Sequence, residues 1–495
     1  MIVRDIGSSD KRHRRESRAL PADRSGAEAS QRNSNFSPAL ANEAQTHYFN
    51  ATMLAAPQNL DLLRAMARLD ALTDWERRPR GKMRVGLEPM LDLAERLGDP
   101  QKSFRSIHVA GTKGKGSVSA LIEAALARAG LRVGRYGSPH VERITERVSL
   151  DGRDIDEASL ARALDEALDA YEAARKAGSA AAGATWFDLL TAAAFLVFAE
   201  TRREWAVVEV GLGGRLDSTN IIKGEIAVVT NIGLEHTEIL GKTRARIAGE
   251  KVGVLKRGAA LVTPLDADDE AGRVLQARAE ELGSPVIRPR VPAEATIDEI
   301  NATLAGAVLD ELGASGVRAP ALDDAALAAW LLDAGTRAAA RLPGRMERFD
   351  IEAGLRRLPV VLDGAHVPFN LEAVLRDLSL ERDLEGPCVA VVALAADKDA
   401  EGFLSAFSGR ALTVILTDLP GSSRGRSPAE LEALAASLGL RSEAEPDAKR
   451  ALERGVKLAT QAHAWLLVTG SLYLVGALRG AIAEAAQVDS DIPAR

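Results

Sequence analysis

The stretch Val109-Ala110-Gly111-Thr112-Lys113-Gly114-Lys115-Gly116-Ser117 settles the class of fold. An apolar run, Ile107 to Ala110, enters it, and a helix-forming segment, Val118 to Ala129, leaves it. Strand, glycine-rich turn and helix in that order make a phosphate loop. Its glycines let the backbone come close to a polyphosphate, so that N–H groups can point at the oxygens. Lys115 adds a mobile positive charge for the β- and γ-phosphates, and Ser117 a hydroxyl for Mg²⁺. The match to G-x-x-x-x-G-K-[ST] is imperfect, because Gly116 separates the lysine from the serine. Taken alone, the stretch also fits an ordinary strand-to-helix corner.

At 495 residues the chain exceeds one ordinary domain, and about two or three are expected. Hydrophobic and charged contents of 46% and 27% are those of a globular protein. Aromatics are only 4%, so Ala, Leu and Val must fill the core, which favours close-packed helices and apolar parallel strands. A net charge of −7 argues against general nucleic-acid binding. The single cysteine, Cys388, excludes an internal disulfide and fits a reducing compartment such as the cytoplasm. No run of about 18 apolar residues suggests a membrane span.

Outward from the phosphate loop, the pattern alternates strand and helix. On its N-terminal side lie two amphipathic helices, Leu60–Leu72 and Leu87–Leu97, with a turn at Arg84, Gly86 and Leu87. Before them, residues 1–52 are too polar to repay the entropy of ordering and read as a dispensable leader, with the natural start near Met53. On the C-terminal side, Gly130–Tyr136 is a strand ending in the loop Gly137-Ser138-Pro139-His140. Glu142, Arg143, Glu146 and Arg147 follow and read equally as a solvated rim. Leu160–Lys176 is a helix, and Ala177–Ala184 a small-residue linker. A buried helix then runs from the Thr185-Trp186-Phe187-Asp188 segment to Phe198.

Trp205–Val210 is a buried strand with Glu209 at its end, running into Gly211-Leu212-Gly213-Gly214-Arg215-Leu216-Asp217-Ser218-Thr219-Asn220. A carboxylate at a strand end followed by a glycine-rich turn stands where α/β sheets place ligands. The next strand, Ile226–Asn231, leads to His236. Lys251 falls in a helical segment, Ala260–Thr263 and Pro285–Ile287 close the sheet, and residues 294–341 read as helical. The turn Leu342-Pro343-Gly344-Arg345-Met346-Glu347 is the expected hinge, at 343–347. Beyond it, strands end at Asp363, before Asp397-Lys398-Asp399, at Asp418 and before Gly470-Ser471, with helical patterns between them. The expectation is an α/β protein. An N-terminal P-loop-type parallel-sheet ATPase domain (53–342) precedes a C-terminal Rossmann-like α/β domain (348–495).

Mg²⁺ prefers oxygen ligands and usually takes few from protein, the rest coming from phosphate and water. Ser117, Ser138 and Glu209 suit it. His236 on its own reads as a capping or core-facing histidine, and Glu209 on its own as an ion-pair partner.

Together these motifs resemble the folylpolyglutamate synthase / dihydrofolate synthase family of Mur-ligase-like amide ligases. The resemblance is carried by Val109 to Ser117, Ser138-Pro139-His140, Thr145 to Val148, Glu209 to Asn220, Asn231 to Leu240 and Glu250-Lys251. It continues through Pro343-Gly344-Arg345, Asp363 to His366, Asp397 to Asp399 and Gly470 to Leu472. It covers about residues 55–485, in order, and the Glu209–Asn220 run is its most specific part.

The resemblance implies an ATP- and Mg²⁺-dependent ligase that joins L-glutamate to a pteroate or folate carboxylate through an acyl phosphate. By the same resemblance Gly114, Lys115, Gly116 and Ser117 bind phosphates, and Ser138, Glu209 and His236 join Ser117 in holding two metal ions. Asn301, Arg345 and Asp363 match nucleotide contacts. Thr185, Phe187, Asp188, Leu216, Asp217 and Ser218 surround the pterin substrate, and His366 and Ser471 mark the glutamate end. Lys251 matches a lysine that is carbamylated in the family, although a helical lysine is ordinarily a surface residue. A monomer is implied. Three departures bear on substrate choice: Asp188 replaces the usual Glu, Val367 replaces the Asn after Asp-Gly-Ala-His, and the segment between Ile287 and Asn301 is short. The alternatives are a Mur-type ligase for another acidic substrate and a nucleotide-binding protein without catalysis.

Overall fold

Strand β1 (Arg105–Ala110) is buried along all but its first residue, as an apolar run flanked by partners on both sides must be. In the computed structural model, which describes residues 57–75, 86–353, 356–422 and 424–487, it is central to an eight-stranded sheet. The expected leader, the natural start at Met53, and Arg84 lie outside the described residues.

In chain order the strands are β1, β2 (Val133–Tyr136), β3 (Val148–Leu150), β4 (Arg153–Asp154), β5 (Trp205–Glu209), β6 (Gly224–Val229), β7 (Ala260–Val262) and β8 (Val286–Ile287). They are arranged β4-β3-β2-β5-β1-β6-β7-β8. Strands β2, β5, β1, β6, β7 and β8 are parallel, while β3 and β4 turn back along one edge. The register sets Val109 beside Glu209, and Ala110 beside Val229. The C-terminal ends of β1, β5 and β6 therefore open side by side, where an α/β sheet binds its ligand.

The helix after β1 begins at Lys115, three residues earlier than the apolar pattern suggests. Gly114 starts it at φ +82°, so Lys115, Gly116 and Ser117 form the first turn and their N–H groups point out of the helix N-terminus. Two further expectations fail. Residues 294–341 are not all helical: the helix Ile297–Ala314 ends at Gly316 (φ +91°), and a small hairpin follows. In it β9 (Arg318–Ala319) pairs antiparallel with β10 (Ala325–Ala326). Asp323 and Asp324, both at positive φ, make its turn, and short polar side chains tolerate that region. A short helix, Ala334–Ala339, completes the segment.

Nor are the charges at 142–147 all a solvated rim, although Arg143 is exposed. Glu146 accepts the backbone N–H groups of Val141, Glu142 and Arg143 at 2.7–2.8 Å. Arg147 is only 2% exposed, with its guanidinium 4.9 Å above the Trp186 ring.

The second sheet contains β11 (Glu347–Ala353), β12 (Arg356–Leu362), β13 (Cys388–Val392), β14 (Ala411–Leu416), β15 (Ser442–Ala444) and β16 (Leu466–Thr469). Its order is β11-β12-β16-β13-β14-β15, parallel except for β11. The β11 edge strand begins in the turn read as a hinge and alternates exposed with partly buried residues over most of its length. Each sheet has apolar clusters on both faces, built mainly from Ala, Val and Leu. Six of the scarce aromatics, Phe104, Tyr136, Trp186, Phe187, Phe195 and Phe198, pack together in and beside the Trp186–Glu200 helix. Among the described residues, no helix is long and apolar enough to cross a membrane.

Candidate active site

The C-terminal ends of both sheets face one cleft of about 840 Å³. The phosphate loop forms its floor. A Cβ on Gly111 (φ +150°) would lie 1.8 Å from Thr230 Oγ1, so only glycine lets the loop lie against the end of β6. The loop is pinned there: Lys113 N–H donates to Asn231 Oδ1 (2.9 Å), and Thr230 Oγ1 donates to the Lys113 carbonyl (2.6 Å). Neighbouring Gly114 abuts Asn301, whose Oδ1 would be 2.7 Å from a Cβ at that position.

Glu209, at the end of β5, is buried, and burial pushes its carboxyl pKa up against the pull of Lys115. Its Oε1 lies 3.8 Å from Lys115 Nζ, and its Oε2 accepts the Ser138 N–H at 3.3 Å. A carboxylate has about four lone-pair sites, and these two long contacts satisfy few of them. Ser117, Ser138 and His236 line the same cleft. His236 stands in left-handed conformation (φ +52°) with Nε2 3.9 Å from Glu235 Oε1. Among the described residues no group of three or more His, Cys, Asp or Glu could hold a metal by itself. This sparse, mainly oxygen donor set fits Mg²⁺ that takes its remaining ligands from phosphate and water.

Lys251 overturns the surface expectation for a helical lysine. It ends the helix Arg244–Lys251, is buried, and donates from Nζ to the Gly111 carbonyl at 2.7 Å. Burial first, then repulsion from Lys115, lowers its ammonium to about 7. It does not line the main cleft but a small adjoining cavity shared with Lys115, Glu235 and His236.

The other sequence-derived candidates line the cleft. Asn301 is buried in the first turns of its helix. Asp363, following β12, accepts the N–H groups of Ala365 (2.8 Å) and Met346 (2.9 Å), which folds the Arg345 turn against the second sheet. Asp188 is spent locally: Oδ2 accepts from Thr185 N–H and Oγ1, and Oδ1 from Ser218 Oγ at 2.6 Å. Phe187 packs on the Gly211 turn, and Leu216 and Asp217 complete that wall. His366 and Ser471 come from the second sheet, after β12 and β16. Val367 caps the helix Pro368–Leu378 without a side-chain hydrogen bond, as an apolar residue must.

Residue by residue, motif reading missed the centre of the cleft. Glu235 Oε1 lies 3.1 Å from Lys113 Nζ, 2.9 Å from His366 Nε2 and 3.4 Å from Lys398 Nζ. Two of these groups come from the first sheet and two from the second. Glu235 is held well below the usual carboxylate range, because the His366 hydrogen bond and the Lys113 charge outweigh burial. A carboxylate just past the end of β6 obeys the same strand-end logic that singles out Glu209, and that was the available signal.

Comparison with known proteins fits this geometry. Residues 109–310 match the Mur ligase middle domain, and 344–472 the Mur ligase glutamate ligase domain. The dihydrofolate synthase/folylpolyglutamate synthase of Mycobacterium tuberculosis is 31% identical over 422 residues, covering 77% of this chain and 83% of that protein. The chain belongs to the folylpolyglutamate synthase/dihydrofolate synthase family. As a member of that family it is an ATP-dependent ligase. Two solved folylpolyglutamate synthase-type structures share its fold. The M. tuberculosis folylpolyglutamate synthase complexed with ADP has a TM-score of 0.72 at 28% identity, covering 85% of this chain and 98% of that one. A bifunctional folylpolyglutamate synthase/dihydrofolate synthase with Mn, AMPPNP and L-glutamate bound has a TM-score of 0.68 at 28% identity, covering 88% and 100%.

Proposed function

We propose that this chain joins L-glutamate to the carboxylate of a pteroate or folate, using ATP and passing through an acyl phosphate. The observation that carries this is the shared cleft. The phosphate loop and Glu209 on the first sheet face His366, Lys398 and Ser471 on the second. A carboxylate is a poor electrophile until one oxygen becomes a leaving group. Its oxygen attacks the γ-phosphorus, the bond to the ADP oxygen breaks, and the glutamate amine then displaces phosphate from the acyl carbon. The ammonium proton must leave before that attack. Holding both substrates in one closed cleft supplies much of the acceleration.

In this reading Gly114, Lys115, Gly116 and Ser117 take the phosphates, and Asn301, Arg345 and Asp363 the nucleoside. Thr185, Phe187, Asp188, Leu216, Asp217 and Ser218 form the pteroyl wall, and His366 and Ser471 the glutamate end. Two Mg²⁺ ions would be held by Ser117, Ser138, Glu209 and His236. When bound, they supply charge that offsets the phosphate and carboxylate oxygens. Lys251, its amine brought close to neutrality, is suited to add CO₂ and release a proton, giving a carbamate anion beside that cluster. Residues 53–342 would form the ATP-handling unit, 343–347 the hinge and 348–495 the glutamate-ligating unit, in a cytoplasmic monomer with Cys388 buried and unpaired. The deciding experiment is a glutamate-dependent phosphate-release assay, with dihydropteroate and tetrahydrofolate offered separately. Release with either supports the proposal and names the activity; release with neither overturns it.

A further inference from the structure

His108 is out of place in its strand. It is fully buried among Ile107, Val109 and Ala110, where a β-branched apolar residue would serve the sheet better. Gly224, at the start of β6, makes room for it: a Cβ there would lie 3.3 Å from His108 Cβ.

Its hydrogen bonding is one-sided. Nε2 lies 2.9 Å from Thr219 Oγ1, and Nδ1 is buried without a hydrogen-bond partner. The Thr219 hydroxyl hydrogen is already committed, since Oγ1 donates to Asp217 Oδ1 at 2.5 Å. Thr219 can therefore only accept from His108, which fixes the hydrogen on Nε2 and leaves Nδ1 as a bare acceptor. Burial and the nearby Lys256 ammonium keep the ring neutral, with its pKa lowered to about 3. A buried acceptor left unpaired is costly. The compensation lies at the far end of the chain of bonds.

That far end is the cleft wall. Asp217 accepts Thr219 N–H (3.1 Å) on Oδ1 and Leu212 N–H (2.8 Å) on Oδ2, so it closes the Leu212–Asp217 turn on itself. The same Oδ2 would stand 3.2 Å from a Cβ on Gly211, and Phe187 Cζ 2.6 Å from it. Turning the Thr219 hydroxyl away from Asp217 would remove the shortest of the hydrogen bonds that hold its carboxylate and so loosen the wall it shares with Phe187.

We propose that His108 is a positioning residue for the acid substrate: by donating to Thr219 it locks that hydroxyl onto Asp217 and so holds the pteroyl wall in binding shape. The proposal rests on the reading of Phe187 and Asp217 as that wall.

The test measures KM for the pteroyl substrate, ATP and L-glutamate in the full chain carrying His108→Phe, Thr219→Val, their double variant, His108→Gln and Asp217→Asn. Loss of one buried hydrogen bond should raise the pteroyl KM roughly tenfold in His108→Phe, Thr219→Val and Asp217→Asn, with the ATP and glutamate KM values within about twofold. The double variant should be no worse than the worse single one, because both break one chain of bonds. His108→Gln, whose amide nitrogen can take the place of Nε2, should restore most of the loss. Equal rises in all three KM values, additive effects, or an unchanged pteroyl KM in Thr219→Val would overturn the proposal. If His108→Phe fails to fold, Thr219→Val and His108→Gln decide it. An Asp217→Asn variant with unaltered pteroyl KM would instead refute the wall; a raised value there with none at Thr219 would refute only the relay.

Discussion

Glu235 of the first sheet and His366 of the second meet across the cleft, Oε1 to Nε2, at 2.9 Å. His366 Nδ1 faces the Gly364 carbonyl at 2.9 Å, and its Nε2 also lies 2.8 Å from Lys113 Nζ, which donates to Glu235 as well. Lys398 adds a second cation from the far side. One carboxylate thus joins two lysines and a histidine from both sheets.

Replacing Glu235 with Gln keeps the shape and removes the charge, which leaves Lys113 and Lys398 facing each other without a shared anion. Charge-assisted hydrogen bonds contribute about 1.5–3 kcal/mol each. The expected result is a fall in kcat of roughly 10- to 100-fold, read from steady-state phosphate release. A kcat within twofold of the parent would show that this junction does not serve turnover.

In the proposed reaction Lys115 would offset charge building up on the γ-phosphate; in the structure its nearest anion, Glu209, is 3.8 Å away. Lys115→Ala should cut phosphate release by about 10³-fold, with the far-ultraviolet circular dichroism unchanged. Unchanged turnover would remove Lys115 from the chemistry.

For Glu209 the readout is metal demand. Its carboxylate is buried with lone pairs to spare, so Glu209→Gln takes away the strongest oxygen donor of the proposed set. The Mg²⁺ concentration for half-maximal rate should rise at least about tenfold. An unaltered Mg²⁺ titration would exclude a metal role.

These expectations differ in how far they were legible in sequence. The phosphate loop and the Glu209–Asn220 run are local: a strand, its terminal acid and the glycines that must follow occupy one stretch, so a linear reading finds them. Glu235 is the opposite case. Its partners Lys113, His366 and Lys398 come from three other segments, and nothing near it in sequence announces them. The burial of Lys251 depends on the Gly111 carbonyl, 140 residues earlier. Missed elements have their own reasons. The β9–β10 hairpin is made of Ala-rich sequence that helical patterns absorb, and β11 is an edge strand whose weak alternation sits beside a turn. Arg147 looked solvated because the aromatic face that covers it, Trp186, lies in another helix.

The lowered Lys251 ammonium makes stability depend on pH, and the sign follows from proton counts. The amine titrates near 7 in the folded chain and near its ordinary 10.5 when unfolded. Between those values the unfolded state binds more protons, so stability rises with pH through that window. Without CO₂, the side chain should contribute a gain of about 2 kcal/mol between pH 7 and 9. Lys251→Met should be more stable than the parent at pH 7, with the difference shrinking by pH 9, as followed by urea unfolding. With ¹³C-labelled bicarbonate, the parent should show a carbamate resonance that the Met variant lacks. Parallel pH–stability lines for the two proteins would mean that Lys251 is not held neutral.

Arg479 offers a way to loosen the two halves of the cleft without touching it. Its guanidinium grips Glu347 at 2.7–3.1 Å and Glu142 at 2.6 Å, and Glu347 also accepts the N–H of Gly344 in the turn between the sheets. Glu142 belongs to the loop that carries Ser138, and Val141 of that loop is buried in the second sheet's apolar cluster with Leu472 and Val475. The loop is therefore tied to Glu209 at one end, through the Ser138 N–H, and to the second sheet at the other. Arg479→Met keeps most of the side-chain bulk and breaks both charge contacts. The contacts are partly exposed, so the loss should be about 1–2 kcal/mol, or a drop of a few degrees in Tm. Because the severed tie leads to Ser138, amide exchange should quicken at residues 138–143, and the Mg²⁺ requirement should rise modestly while the pteroyl KM stays put. If Tm falls but exchange in that loop and the Mg²⁺ titration do not move, Arg479 braces the fold and has no hold on the site.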